Sequence, residues 1–410
     1  MGVFMHKLRI GLAALTLLGC SVHAHADLPS YTGDLLMNWA EWKYPNLFPL
    51  HVPTQPIMGL QVRAYPGAKY LGTGNGRAYF YDAQNPAAGI VDLGPMQAYV
   101  PQVQADGFPT LAQRNAAATQ AATAHSDCVA VAPFYWEIGD ANGAQASGRV
   151  GDAYSANSLM SIASASKWIY GSYVAQKRGG HLVDEDLNYL TFRSGYVSFR
   201  NCSASDTVHS CATSRANDWQ TPAAVGKFFY GGGHMQQHAD RLMGLGTASD
   251  VGLGGEIRNT LGLNATAFQF FYSQPQLAGG VATSAGVYAQ FLRGILNGDL
   301  FMRAMLGSDA VCTNPTTCAN ALSTPWPTSE SPGYSIGHWV EDNIASDGSF
   351  SSPGAFGFYP WIDANKQWYG VVARESIAHL ENGSEDERPG VQSAFCGRRI
   401  RYAWMTGYAP

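Results

Sequence analysis

The sequence predicts an α+β fold in which one antiparallel sheet takes its strands from both ends of the chain. Three observations carry that prediction. Alternating apolar stretches over Val129–Trp136 and Gly148–Val150 read as paired strands, and a polar, helix-patterned middle follows. Strand-like runs then return near Tyr334–Val340, Phe356–Ile362 and Trp368–Ala373, before a helical ending over Gln392–Trp404. Strands at both ends with helices between them make a flanked sheet with a helical subdomain.

Residues 1–26 read as a signal peptide. Lys7 and Arg9 precede the apolar stretch Ile10 to Gly19, and Ala24-His25-Ala26 supplies a small-x-small cleavage site. Leu17-Leu18-Gly19-Cys20 also matches a lipoprotein processing site, which would anchor the mature chain through Cys20. Residues 27–110 read as a separate helix-plus-β module. Leu35, Leu36, Trp39 and Trp42 recur at helical spacing, and Asn75-Gly76 marks a hairpin turn between strand-like runs. Gly72 to Gly76 opens a strand rather than a helix, so it reads as a turn and not a phosphate loop. Residues 111–127 form an Ala/Thr/Gln linker or helix start, leaving 128–410 as the main domain.

At 410 residues the chain is long enough for one large core beside a small module. Charged residues make up only 13%, and glycine is frequent (46), which suits a turn-rich exported protein better than a coiled coil. Loss of Lys7 and Arg9 with the signal takes the net charge from −5 to −7, which argues against nucleic acid as a partner. No stretch reaches the roughly 18 apolar residues of a membrane span. Outside the signal stand six cysteines, an even number that fits disulfides in an exported chain. Spacing favours Cys202–Cys211 and Cys312–Cys318 as loop staples and Cys128–Cys396 as a tie between domain ends, among 15 allowed connectivities. No Cys-x-x-Cys pair supports zinc, and no cofactor is implied.

The chemistry concentrates at Ser164-Ala165-Ser166-Lys167. Residues three apart share a helical face, so a hydroxyl and an amine meet in one small volume. Ser164 becomes a nucleophile if Lys167 is neutral enough to take its proton, and Met160, Ile162, Ala165, Trp168 and Ile169 make the surroundings apolar. Lys167 is the only one of seven lysines with a serine three residues before it.

From Val129 onward, the order of motifs resembles the serine β-lactamase and penicillin-binding-protein superfamily, closest to its class C-like branch of esterases, peptidases and amidases. Ile162 to Lys167 resembles the start of the nucleophile helix, and Leu190 to Tyr196 the Leu-Leu-Thr-His-Thr-Ser-Gly loop. Phe229 to His234 stands in the place of Tyr-x-Asn. Ala278 to Ala285 resembles the Gly-Gly-x-x-Ser/Thr helix opening, and Ser352 to Gly357 the Lys-Thr-Gly strand. The resemblance implies a β-lactamase-like sheet, an acyl-enzyme on Ser164, and Lys167 and Tyr230 as proton-transfer partners. It also implies an oxyanion hole from the backbone N–H groups of Ser164 and Ala355, and a substrate surface at Gly232, His234, Ser352 and Gly354. Tyr196 and Trp361, with Trp168, are further candidates to face substrate. Two departures shape the expected substrate. Gly232 replaces an amide-gripping Asn, and Ser352 replaces the Lys or His that draws in a carboxylate. An esterase or amidase acting on a small or oligomeric neutral substrate is therefore expected over a β-lactamase, with Arg374 a candidate replacement cation.

Two other readings compete. Gly333-Tyr334-Ser335-Ile336-Gly337 matches G-x-S-x-G with Asp342, Asp363 and His379 downstream, which an α/β-hydrolase using Ser335 would need. Alternatively, the domain is a non-catalytic binding module. His234 and His238 sit four apart, but without the Glu of His-Glu-x-x-His they read as packing residues.

Overall fold

The computed structural model describes residues 33–44, 48, 55–57, 60–99, 109–341, 347–377 and 387–409. The expected signal peptide and Cys20 lie outside them. The chain divides into two compact units, residues 1–114 with 405–408, and 115–404 with 409–410.

In the first unit, helix α1 (Gly33–Lys43) precedes five strands paired in chain order: β1 (Gln55–Ile57), β2 (Leu60–Tyr65), β3 (Lys69–Gly74), β4 (Arg77–Asp82) and β5 (Val91–Pro95). Asn75 and Gly76 both take positive φ, the conformation that a two-residue hairpin between twisted strands requires. Leu36, Trp39, Phe48, Tyr65, Leu71 and Phe80 close a core of their own.

Next along the chain come α2 (Leu111–Ala124), which crosses from the first unit's residues into the second's, and α3 (Ser126–Val129). Residues expected as linker are thus helical, since alanine costs least to hold in a helix, and Ala117 and Ala121 pack on Ala403. The strand expected from Val129 begins only at Phe134, because Cys128 and Val129 belong to α3. A hairpin of β6 (Phe134–Asp140) and β7 (Gly143–Val150) follows, then β8 (Met160–Ser161) and α4 (Ser166–Lys177). The middle holds α5 (Asp184–Leu190), α6 (Val208–Thr213), β9 (Phe228–Phe229), α7 (Gly233–Arg241), α8 (Asp250–Thr260), β10 (Phe270–Tyr272), β11 (Val281–Thr283) and α9 (Ala285–Asn297). After α10 (Met302–Met305) and β12 (Ala321–Ser323) come β13 (Gly333–Tyr334), β14 (Trp339–Val340), β15 (Phe350–Ser351), β16 (Tyr359–Ile362), β17 (Tyr369–Ala373) and finally α11 (Pro389–Thr406).

The main sheet runs β13-β14-β15-β16-β17-β6-β7, antiparallel throughout, with the early hairpin beside the last strand. This is the α+β arrangement that the motif order predicts. Among the described residues two disulfides are formed, Cys128–Cys396 and Cys202–Cys211. The expected Cys312–Cys318 staple is not, and Cys318 carries a free thiol. Asn314 closes that loop instead. Its carboxamide donates to Thr328 O, Glu330 O and Ser331 Oγ and accepts from Thr316, so the loop is held without sulfur. Cys128–Cys396 spans 268 residues and restricts the unfolded chain most. Replacing both cysteines by alanine is expected to cost about 3–5 kcal/mol in denaturant unfolding.

Candidate active site

Ser164 sits on a tight turn between β8 and α4. A 3₁₀ turn, Ala163–Ala165, links them, and Ala163 takes φ 44°, a left-handed value rare for a residue with a Cβ. Strain of this kind persists where the surroundings fix it. Ile162 N, two residues before Ser164, donates to Val281 O, and Ser352 Oγ donates to Ser164 O at 3.1 Å, so the turn is held at two points. Helix α4 is buried almost all round, as a core helix must be.

Lys167, one turn further, is buried. Its Nζ donates to Ser164 Oγ at 2.8 Å and to the Ala278 carbonyl at 2.8 Å. Neither partner carries a countercharge, so desolvation alone pulls the amine down to about 7. An amine that is half neutral at pH 7 has the geometry and the basicity to accept the Ser164 proton.

Tyr230 completes the cluster, its ring 4.8 Å from Lys167 Nζ. Burial pushes its phenol up to about 12, while the Ser164 hydroxyl and the Trp339 side chain pull the other way. The ring stacks on Trp339 at 5.2 Å and meets Tyr334 and Phe192 edge-on. Ala355 is exposed on the turn closed by Gly354 N donating to Phe358 O. A Cβ at Gly354 would overlap the Ile162 carbonyl, so only glycine lets this turn reach the serine.

A pocket of ≈ 140 Å³ opens on Ser164 and Tyr230. Its walls are Pro325, Trp326, Trp339, Pro353, Gly354, Ala355, Gly390 and Val391, with Arg388 the one charged residue. Trp326, Trp339, Arg388 and Val391 escaped sequence reasoning. They come from three separate stretches, and no local spacing links them to Ser164.

Several expected substrate residues lie elsewhere. Tyr196 is buried, stacked on Tyr189 at 6.0 Å with the Arg241 guanidinium 5.1 Å from its ring. Trp361 is buried in the sheet beneath Arg401, and Trp168 stacks on His338 in the core. His234 is fully buried. Its Nε2–H donates to Phe229 O, so Nδ1 accepts from Ser194 Oγ, and burial lowers its pKa to about 3. It therefore braces the backbone next to Tyr230 rather than facing the pocket. Gly232 makes room for the Phe199 ring, which a Cβ would meet at 2.7 Å. Ser352 spends its hydroxyl on Ser164 O, and Arg374 is buried among Ser393 Oγ, Val131 O and Pro389 O, so it is no free cation. His238 bridges Tyr170 and Asp186 inside the helical region.

The G-x-S-x-G reading fails on geometry. Ser335 is fully buried, donates to Ser308 O, and is followed by a turn into β14 instead of a helix. Asp363 is occupied by the Gln367 and Trp368 N–H groups of its own turn, while Asp342 and His379 lie outside the described residues. The motif's second glycine has another use. Gly337 (φ 73°) abuts the Lys167 carbonyl, and Gly171 abuts the Ile336 carbonyl, so two glycines seat α4 against this segment. Gly337→Ala meets both a backbone clash and an unfavourable φ. It is expected to cost about 2 kcal/mol or more in thermal unfolding and to lower turnover with it.

No protein-family model and no curated protein matches the sequence. Solved structures do resemble the chain. A putative β-lactamase from Bacteroides dorei is 18% identical over 75% of this chain and 98% of that one, with a TM-score of 0.45. A D-stereospecific amidohydrolase from Streptomyces sp. is 14% identical over 70% and 99% (TM-score 0.43). FmtA from Staphylococcus aureus is 12% identical over 95% and 98% (TM-score 0.45).

Proposed function

We propose that this protein is an exported serine hydrolase, an esterase or amidase that works through an acyl-enzyme on Ser164. The observation that carries the proposal is the buried, uncharged-capable Lys167 amine 2.8 Å from Ser164 Oγ. In the proposed sequence, Ser164 Oγ bonds to the substrate carbonyl carbon as its proton passes to Lys167 Nζ. The carbonyl oxygen becomes an oxyanion received by the N–H groups of Ser164 and Ala355, donors of the kind that lower such barriers by about 3 kcal/mol each. Collapse expels the leaving group, which takes its proton from Tyr230, and Lys167 returns one to the phenolate. Water then repeats the steps on the acyl-enzyme and frees Ser164.

The pocket walls favour a neutral, apolar substrate, in keeping with the missing carboxylate anchor at Ser352. The two disulfides support export to an oxidising compartment. The non-catalytic alternative leaves a depressed lysine beside a serine without a purpose.

The test is a panel of p-nitrophenyl acyl esters, linear anilides, D-alanyl peptides and nitrocefin. Esters or anilides should turn over, with nitrocefin about 100-fold slower because Ser352 stands where a cation would meet its carboxylate. Turnover of nothing in the panel, with no covalent adduct on Ser164 after fluorophosphonate treatment, would favour the binding module.

A further inference from the structure

The pocket beside Ser164 has a definite size and an unusually well-braced wall. Its volume, ≈ 140 Å³, is close to the roughly 150 Å³ that holds a single benzene ring in an apolar protein cavity. Trp326 forms one wall and is almost fully buried. On one side it meets Trp339 edge-on at 5.9 Å, and Trp339 in turn stacks on Tyr230. Over Trp326 lies the Arg398 guanidinium, 5.0 Å from the ring and itself fixed by Glu330 at 3.1 Å and Glu341 at 3.0 Å. Arg388 Nη1 donates to Pro325 O at 3.0 Å, fastening the residue before Trp326 to the start of α11. Arg398 of α11 and Arg388 just before it thus hold this wall from two sides.

The proton-bearing groups Lys167 and Tyr230 define the side to which a leaving group departs. Pro353, Ala355, Val391 and Trp326 line the pocket together with Ser164 and Tyr230. Resting on the assignment of Ser164 as nucleophile, we propose that this pocket is the acyl-binding site and that Trp326 limits it to one apolar group of single-ring size, such as a phenylacetyl or short branched alkanoyl group. Burying such a group in place of a methyl removes on the order of 80–100 Å² of apolar surface from water, a gain of about 30-fold in specificity. A two-ring acyl group fits this space less well.

The experiment compares kcat/KM for p-nitrophenyl acetate, phenylacetate and 2-naphthylacetate in wild-type protein, Trp326→Ala and Val391→Phe. Wild type should favour phenylacetate over acetate by about 30-fold and over naphthylacetate by about 10-fold or more. Trp326→Ala should reverse the phenylacetate-to-naphthylacetate order. Val391→Phe fills the same space and should bring the phenylacetate-to-acetate ratio near one, so the test survives if Trp326→Ala does not fold. Ratios unchanged in both variants, or no size preference in wild type, would overturn the proposal. Fluorophosphonate adduct formation is measured on the same preparations. Labelled Ser164 with flat size dependence removes the acyl pocket and leaves the hydrolase standing, whereas an unlabelled Ser164 removes both.

Discussion

Ser164→Ala is expected to lower ester turnover by about 10⁴-fold while leaving the thermal midpoint within a few degrees of wild type. On the proposed mechanism the rate effect is large because Ser164 is the nucleophile, and losing it removes the whole covalent route. The stability effect is small because the Ser164 side chain is half-exposed and the contact fastening the turn, Ser352 Oγ to Ser164 O, uses the backbone. Steady-state kinetics beside a melting curve checks both halves. Retained turnover in the variant would place the chemistry elsewhere.

Lys167→Met is expected to lower kcat/KM by about 10³-fold, the range that a positioned general base contributes. Its pH dependence is more diagnostic. Burial holds the folded amine at about 7, below the ordinary 10.5. Only the neutral amine can accept a proton, so wild-type kcat/KM should rise as pH passes through about 7 and then level off. The Tyr230 phenol, held near 12, stays protonated across the plateau. Stability carries the same signature. Between about pH 7 and 10.5 the unfolded chain binds a proton that the folded chain does not, so stability rises with pH across that window. The contribution is complete above the unfolded value and declines as pH falls toward 7. Wild type should gain up to about 1.4 kcal/mol per pH unit more than Lys167→Met over this interval, read from denaturant unfolding at several pH values. Equal slopes would mean that the amine is charged in the folded protein.

What the sequence makes legible is what lies close together along the chain. Ser164 and Lys167 share a helical face through local spacing, and strand-like runs at both ends foretell the sheet that brings β6 beside β17. Tyr230 is 66 positions from Ser164, and only the resemblance connects them. The pocket is harder still. Trp326 reaches the site through a segment fastened to Arg388, and nothing around either residue announces the other. Aromatic residues were ambiguous for a physical reason: a large ring serves a core as well as a pocket, and Tyr196 and Trp361 went to the core. Glycine misled in the same way. Gly337 completes a nucleophile-elbow pattern in sequence, yet in space it gives the Lys167 carbonyl room.

The most direct measurement is the rate at which a fluorophosphonate forms a covalent adduct, followed by intact mass and located by peptide mapping, from pH 5 to 10 in wild type and Lys167→Met. A single adduct on Ser164, forming faster as pH rises through about 7 and nearly absent without the amine, is the predicted result. An adduct on Ser335, or a Ser164 adduct whose rate ignores both pH and Lys167, would contradict a serine activated by its buried neighbour.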